Sequence, residues 1–136
     1  MTTKNILIAL LATASLILLS GCGSGSDGDA ERLARLGLPA AGYLPDINRG
    51  AEGYVNNCRE CHGPGARGTD KGPPLIHGYY VPSHHADFAF YSAVKKGVVQ
   101  HHWEFGDMPP QPKVSPELAA DITAYVRNLQ QRRGLK

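Results

Sequence analysis

The most constraining feature of this 136-residue chain is a short pattern of two cysteines and a histidine, Cys58-Arg59-Glu60-Cys61-His62. Cysteines three residues apart lie on one face of a helix, so both thiols can add to the two vinyl groups along one porphyrin edge. The adjacent histidine then leaves the helix end beneath the ring, where its Nε2 can bind iron. The pattern therefore predicts covalent attachment of a c-type haem through Cys58 and Cys61, with His62 as an iron ligand.

Two other kinds of site use closely spaced cysteines. A structural zinc site could use Cys58 and Cys61, but it needs two further ligands, and the sequence has no second pair of close cysteines. A thioredoxin-type redox pair is expected in a βαβ context, which the sequence does not show. The pattern favours haem over both alternatives.

The N-terminus carries an apolar run of 14 residues, Ile6 to Leu19. As a helix it would be about 21 Å long, short of the ~30 Å hydrocarbon core of a bilayer, so it is typical of a secretory signal. The run ends in Leu19-Ser20-Gly21-Cys22, which resembles the lipobox of bacterial lipoproteins. The resemblance implies lipidation of Cys22 and cleavage before it. A plain signal peptide followed by an incidental cysteine is the alternative.

These signals divide the chain into three parts. Residues 1–21 are predicted to be a cleaved lipoprotein signal peptide, residues 22–29 a lipidated Cys22 with a flexible Gly/Ser/Asp tether, and residues 30–136 the folded domain. The protein is then expected in a bacterial cell envelope, anchored by lipid on the periplasmic side. Gly23 follows the cysteine where an aspartate would favour the inner membrane, so the sequence leans towards the outer membrane.

The predicted domain has helical spacing of apolar residues and no stretch that alternates as a strand would. A short helix is also expected over 31–36. The longer predicted helices are 48–61 with Asn48 as N-cap, 87–96 ended by Gly97, and 115–131 with Ser115 as N-cap.

Two segments between these helices are rich in glycine and proline. Nine of the twenty residues from 63 to 82 are Gly or Pro, and residues 107–116 contain four prolines. Such segments hold the chain in fixed non-helical paths. We therefore predict a small all-α domain of three to five helices, with two stiff loops that wrap one covalently attached haem.

Residues 48–129 resemble the class I, mitochondrial-type, monohaem cytochrome c family. Gly50 and Tyr54 stand eight and four residues before Cys58, as in the first helix of that family. Ala124-Tyr125 resembles the aromatic partner in the last helix. The resemblance implies that Gly50 permits close contact between the first and last helices.

The loop after the haem motif extends the resemblance, because Gly72-Pro73-Pro74-Leu75 is similar to the G-P-x-L sequence of the family. The resemblance implies that the Pro73 carbonyl accepts a hydrogen bond from Nδ1 of His62 and that Leu75 lies against the haem face. Such a bond fixes the imidazole tautomer and raises the basicity of the ligand. Taken alone, a Gly-Pro-Pro sequence indicates only a turn.

One methionine, Met108, remains after removal of the predicted signal, and two prolines follow it. The resemblance implies that its thioether is the second axial iron ligand beside His62. A thioether is a soft, neutral ligand, and His/Met ligation raises the reduction potential. A methionine that only packs in the core is the alternative.

The resemblance implies a carrier of single electrons rather than an enzyme, because two axial ligands leave no open iron position for substrate. The expected partners are a redox donor protein, a redox acceptor protein and the membrane, with the domain acting as a monomer. The formal net charge of only +2 argues against nucleic acid. The main alternative is a haem-based ligand sensor or small peroxidase in which Met108 dissociates; a structural or haem-storage role is more distant.

Five further histidines depart from the common pattern of the family. We favour a role as polar groups near the haem propionates or in loop hydrogen bonds. A second metal site with one histidine from each adjacent pair, or replacement of Met108 as the iron ligand, remains open. These five histidines are His77, His84, His85, His101 and His102.

Overall fold

The computed structural model describes residues 26–136, and within them the chain forms five α-helices and two short 3₁₀ helices. The 3₁₀ helices are Pro64–Ala66 and Gly78–Tyr80. We number the α-helices in chain order: α1 Ser26–Leu36, α2 Ile47–Asn57, α3 Arg59–His62, α4 Asp87–Lys96 and α5 Pro116–Arg132. These residues contain no β-strand, and the predicted all-α fold is confirmed.

The predicted N-terminal features fall mostly outside this part of the chain. The signal peptide and Cys22 lie outside the described residues, and residues 26–29 of the predicted tether belong to α1. None of the helices within residues 26–136 is both long and apolar enough to cross a membrane.

The first long helix differs from the prediction at both ends. Asn48 is not its N-cap: Asp46 is, and its carboxylate accepts hydrogen bonds of 2.8 Å from the backbone N–H groups of Asn48 and Arg49. One carboxylate thereby satisfies two donors that the first turn leaves free. The helix also breaks at Cys58, which leaves helical geometry, so the predicted segment 48–61 becomes α2 and α3.

The predicted bounds of α4 are confirmed, and α5 begins after Ser115 as predicted but ends at Arg132, one residue beyond the prediction. Gly97 follows α4 with φ of +77°, a left-handed conformation that favours glycine. Ser115 is the N-cap of α5, and its hydroxyl accepts a hydrogen bond from the Leu118 N–H.

The core forms where α2 crosses α5. A Cβ atom on Gly50 would lie only 2.0 Å from the carbonyl oxygen of Asp121, so the two backbones can approach this closely only at a glycine. Tyr54 is buried one turn later, and its ring centroid lies 5.4 Å from that of Tyr125. The implied contact between the first and last helices is therefore present.

A buried carboxylate lies in the same contact. Asp121 is 2% exposed and accepts hydrogen bonds from the Tyr43 hydroxyl, the Asp46 N–H and the Arg49 guanidinium. Burial raises the pKa of Asp121, but these three donors stabilise the carboxylate more strongly, and its pKa lies below the usual value. The segment that precedes α2 is thereby bonded to α5.

We expect Gly50→Ala to lower the free energy of unfolding by about 3 kcal/mol. This value is at the upper end of the usual cost of overpacking, because the new methyl group would clash with a backbone atom, which cannot move aside as a side chain can. The matched control is Gly28→Ala in α1, where a Cβ would meet nothing within 4 Å. That variant should be as stable as the parent or slightly more so. Urea unfolding of the holoprotein measures both, and equal stability of Gly50→Ala and the parent would contradict the close crossing.

Candidate functional site

A cavity of about 560 Å³ lies between α3, α4, α5 and the loops that connect them. This volume lies within the range of about 300–1,000 Å³ found for pockets that bind organic ligands. Most of its lining side chains are apolar. It also brings together all six predicted cofactor-binding residues: Cys58, Cys61, His62, Pro73, Leu75 and Met108.

Both cysteines of the motif lie at the wall of this cavity, and they are not joined in a disulfide. Cys58 lies between α2 and α3 and is half-buried, whereas Cys61 is exposed. Burial raises the pKa of Cys58 to about 11, with a smaller contribution from Cys61. Both side chains line the same cavity, as covalent attachment of one ligand at two points requires.

His62 is oriented by a hydrogen bond to the facing loop. Its Nδ1 lies 2.9 Å from the carbonyl oxygen of Pro73. Because a carbonyl can only accept, Nδ1 carries the proton and the lone pair of Nε2 is free to bind a metal. Burial lowers the pKa of His62 by more than the bond to Pro73 raises it, which favours the neutral, metal-binding form.

The loop that carries Pro73 and Leu75 is packed tightly against α3. A Cβ atom on Gly72 would lie 3.0 Å from the carbonyl oxygen of Cys61. The N–H of Leu75 donates a 2.9 Å hydrogen bond to the Ala66 carbonyl. These backbone contacts fix the carbonyl that orients His62.

Met108 is held by main-chain hydrogen bonds to the end of α4. Its N–H and C=O pair with those of Val98 in an isolated antiparallel bridge, with both N···O distances at 2.9 Å. A Cβ atom on Gly97 would lie 2.5 Å from the Met108 carbonyl oxygen. The glycine that follows α4 therefore also allows the backbone at Met108 to lie close to the end of this helix. The side chain of Met108 lines the cavity.

The groups around this cavity fit a covalently attached haem. Two thiols, one imidazole and one thioether face the same largely apolar space. Nε2 of His62 has no hydrogen-bond partner within residues 26–136, as an atom kept for a metal should have none. Phe88 and Phe105 also line the cavity, where they are 51% and 39% exposed, so a bound haem would cover apolar surface.

Two buried polar residues of α5 that support the cavity were not predicted from the sequence. Arg127 donates hydrogen bonds to the carbonyls of Tyr80 and His85, and Gln130 donates one of 2.8 Å to the carbonyl of Leu75. These bonds hold the loop before α4 against α5. The two residues are three apart and lie on the inward face of α5, so their helical spacing could have indicated from the sequence that they are buried.

The five additional histidines lie near one another at one side of the cavity. His85 and His101 line it, whereas His77, His84 and His102 do not. The Nε2 atoms of His84 and His102 are 3.2 Å apart, within hydrogen-bond distance of each other.

The sequence pattern of the cytochrome c family matches residues 47–130, which are 84 of the 136 residues. The chain belongs to the cytochrome c family. It therefore binds one covalently attached haem c and takes part in haem-based electron transfer, and the resemblance to class I monohaem cytochromes is confirmed. For a bacterial protein, this family indicates a location outside the cytoplasm.

No curated protein sequence matches the chain significantly. Among solved structures, the chain is similar to cytochrome CL from the marine methylotrophic bacterium Methylophaga aminisulfidivorans. The two are 21% identical with a TM-score of 0.46, over 82% of this chain and 71% of the other.

We expect Tyr54→Phe to lower the free energy of unfolding by about 1 kcal/mol. The Tyr54 hydroxyl donates a buried 2.7 Å hydrogen bond to the carbonyl of Gly63, the residue after His62. The matched control is Tyr125→Phe, whose hydroxyl has no hydrogen-bond partner in the described residues and whose change should be nearly neutral. Urea unfolding followed by circular dichroism compares them, and equal effects would contradict a role for the Tyr54 hydrogen bond.

Proposed function

We propose that this cytochrome is tethered to a membrane by lipid and carries single electrons between redox proteins on the periplasmic side, without catalysing a reaction of its own. One observation carries the proposal: His62 and Met108 line the same cavity, and hydrogen bonds to separate loops hold each of them. His62 and Met108 could then both bind the iron of one haem. A filled coordination sphere suits electron transfer and leaves no position for a substrate.

When bound, the haem supplies a one-electron Fe(III)/Fe(II) couple. Cys58 and Cys61 hold it through thioether bonds, which retain it where free haem would be lost. His62 binds through Nε2, and its Nδ1–H donates to the Pro73 carbonyl, which fixes the ring and raises its basicity. Met108 would supply a soft thioether ligand, which would favour the reduced state and raise the reduction potential.

The surrounding residues restrict the movement of these ligands and exclude water from them. Leu75 and Val126 are buried on the cavity wall, where they would shield a bound haem from water. The backbone bridge between Val98 and Met108, together with Pro109 and Pro110, restricts the loop that carries the thioether. A restricted loop loses little conformational entropy when a weak metal bond forms.

The sequence supports the proposed tether, because Leu19-Ser20-Gly21-Cys22 resembles a lipobox and a Gly/Ser/Asp-rich segment follows it. Lipidation of Cys22 would add more than one acyl chain, which anchors stably where a single chain is marginal. The tether raises the local concentration of the domain near a redox donor and acceptor at the membrane. We propose that the domain acts there as a monomer, on the outer membrane as Gly23 favours.

We expect Met108→Ala to abolish the near-infrared methionine–iron band, lower the reduction potential and open the iron to cyanide or CO. Spectroscopy, potentiometry and ligand titration measure these changes. Val99→Ala is the matched control, because Val99 lies in the same loop, is 76% exposed and does not line the cavity. An unchanged spectrum and potential in Met108→Ala would refute the ligand assignment, and rapid, tight CO binding by the parent would support a ligand sensor or peroxidase instead.

We expect Cys22→Ser to release the protein from the membrane or leave it unprocessed, because the thiol is the proposed site of lipidation. Detergent phase partitioning and mass spectrometry of the N-terminus measure this. The parent should enter the detergent phase with Cys22 as its acylated first residue. Recovery of the parent from the aqueous periplasmic fraction would contradict the anchor without affecting the electron-transfer assignment.

A further inference from the structure

Three histidines outside the proposed haem ligands come together where two loops meet. His84 and His85 follow the 3₁₀ helix Gly78–Tyr80, and His102 lies between α4 and Met108. One ring nitrogen from each histidine lies within 4.8 Å of those of the other two. We call these residues the three-histidine group. The metal site considered from the sequence took one histidine from each adjacent pair, whereas this group contains both members of the first pair and one of the second.

The Nε2 atoms of two histidines in this group have the spacing of two ligands on one metal ion. Nε2 of His84 lies 3.2 Å from Nε2 of His102. Two nitrogens each about 2.0–2.1 Å from a tetrahedral metal lie about 3.3–3.4 Å apart. A direct N–H···N hydrogen bond between the rings is the other arrangement with this spacing.

The third ring is oriented by a backbone carbonyl. Nδ1 of His85 donates a hydrogen bond to the Tyr79 carbonyl, so the lone pair of its Nε2 remains free. Histidines that bind metals almost always donate the other ring N–H to such a group, which fixes the tautomer and the ring orientation. Tyr79 also stacks on His102 with ring centroids 4.5 Å apart. One residue therefore orients two of the three rings.

The two remaining histidines, His77 and His101, make hydrogen bonds to backbone groups elsewhere. Nδ1 of His77 accepts a 3.2 Å hydrogen bond from the Tyr79 N–H, and this histidine is the N-cap of the 3₁₀ helix. Nδ1 of His101 donates to the carbonyl of Val99 at 2.9 Å, and its ring stacks on that of His85. Neither belongs to the three-histidine group, so His101 provides a neighbouring control.

We propose that His84, His85 and His102 bind one divalent transition-metal ion that prefers imidazole, Zn²⁺ or Cu²⁺, through one ring nitrogen each. Three nitrogen ligands leave a fourth position for water, and the exposure of His84 gives the ion a route from solvent. The ion would join the loop before α4 to the loop that carries Met108. None of the three is a proposed haem ligand, and of the three only His85 lines the haem cavity.

The test is isothermal titration of Zn²⁺ into untagged ferric holoprotein, with His84→Gln and His102→Gln as variants. We expect one ion per chain in the parent and a loss of affinity of at least about tenfold in each variant, since even loss of an outer partner costs about 10–100-fold. The haem absorption spectrum should not change in either variant. His101→Gln should retain Zn²⁺ binding, because His101 is outside the group.

Electron paramagnetic resonance of added Cu²⁺ provides a second measurement on the unmodified protein. Coupling to at least two imidazole nitrogens is expected, and coupling to fewer would overturn the proposal even if a variant failed to fold. The proposal is also overturned if the parent binds neither ion, or if Zn²⁺ affinity is equal in the parent and both variants. The last result would leave the contact of His84 with His102 as a hydrogen bond between imidazoles.

Discussion

At Gly50 the backbone of α2 meets that of α5 with so little space that a Cβ would lie 2.0 Å from the Asp121 carbonyl oxygen. This crossing fixes the two elements that carry the haem site. Cys58 follows the last residue of α2, and His62 ends the short α3 that comes next. On the other side, Arg127 of α5 holds backbone carbonyls of the loop before α4. The distance between the attachment residues and the opposite cavity wall is therefore set by helix packing.

The parts of this site that the sequence predicted are those encoded by residues close together in the chain. The Cys58–His62 motif needs only helical spacing, and Ser115 and Gly97 mark helix ends by their own side-chain and backbone chemistry. The Pro73 carbonyl was recognised because a short motif in a family resemblance implied its role. In each case a few neighbouring residues contain the whole signal.

The parts that the sequence did not predict depend on partners far apart in the chain. Asp121 is bonded to Arg49, 72 residues away, and nothing in either local sequence indicates the other. The N-cap of α2 was misplaced because Asp46 competes with Asn48 and the tertiary contact with Asp121 favours the earlier residue. The approach of two loops that brings histidines together is likewise a property of the folded chain.

The haem site and the hydrophobic core of this domain share several buried residues. Eight hydrophobic residues are buried among those described, and half of them also line the haem cavity: Leu75, Ala119, Ile122 and Val126. A domain this small buries little surface by itself, so a cofactor that packs against these residues adds to its stability. Covalent attachment then keeps part of the core from dissociating. Because the same side chains pack the core and the cofactor, movement of the cavity wall during an electron transfer would disturb the core, which favours a rigid site in both oxidation states.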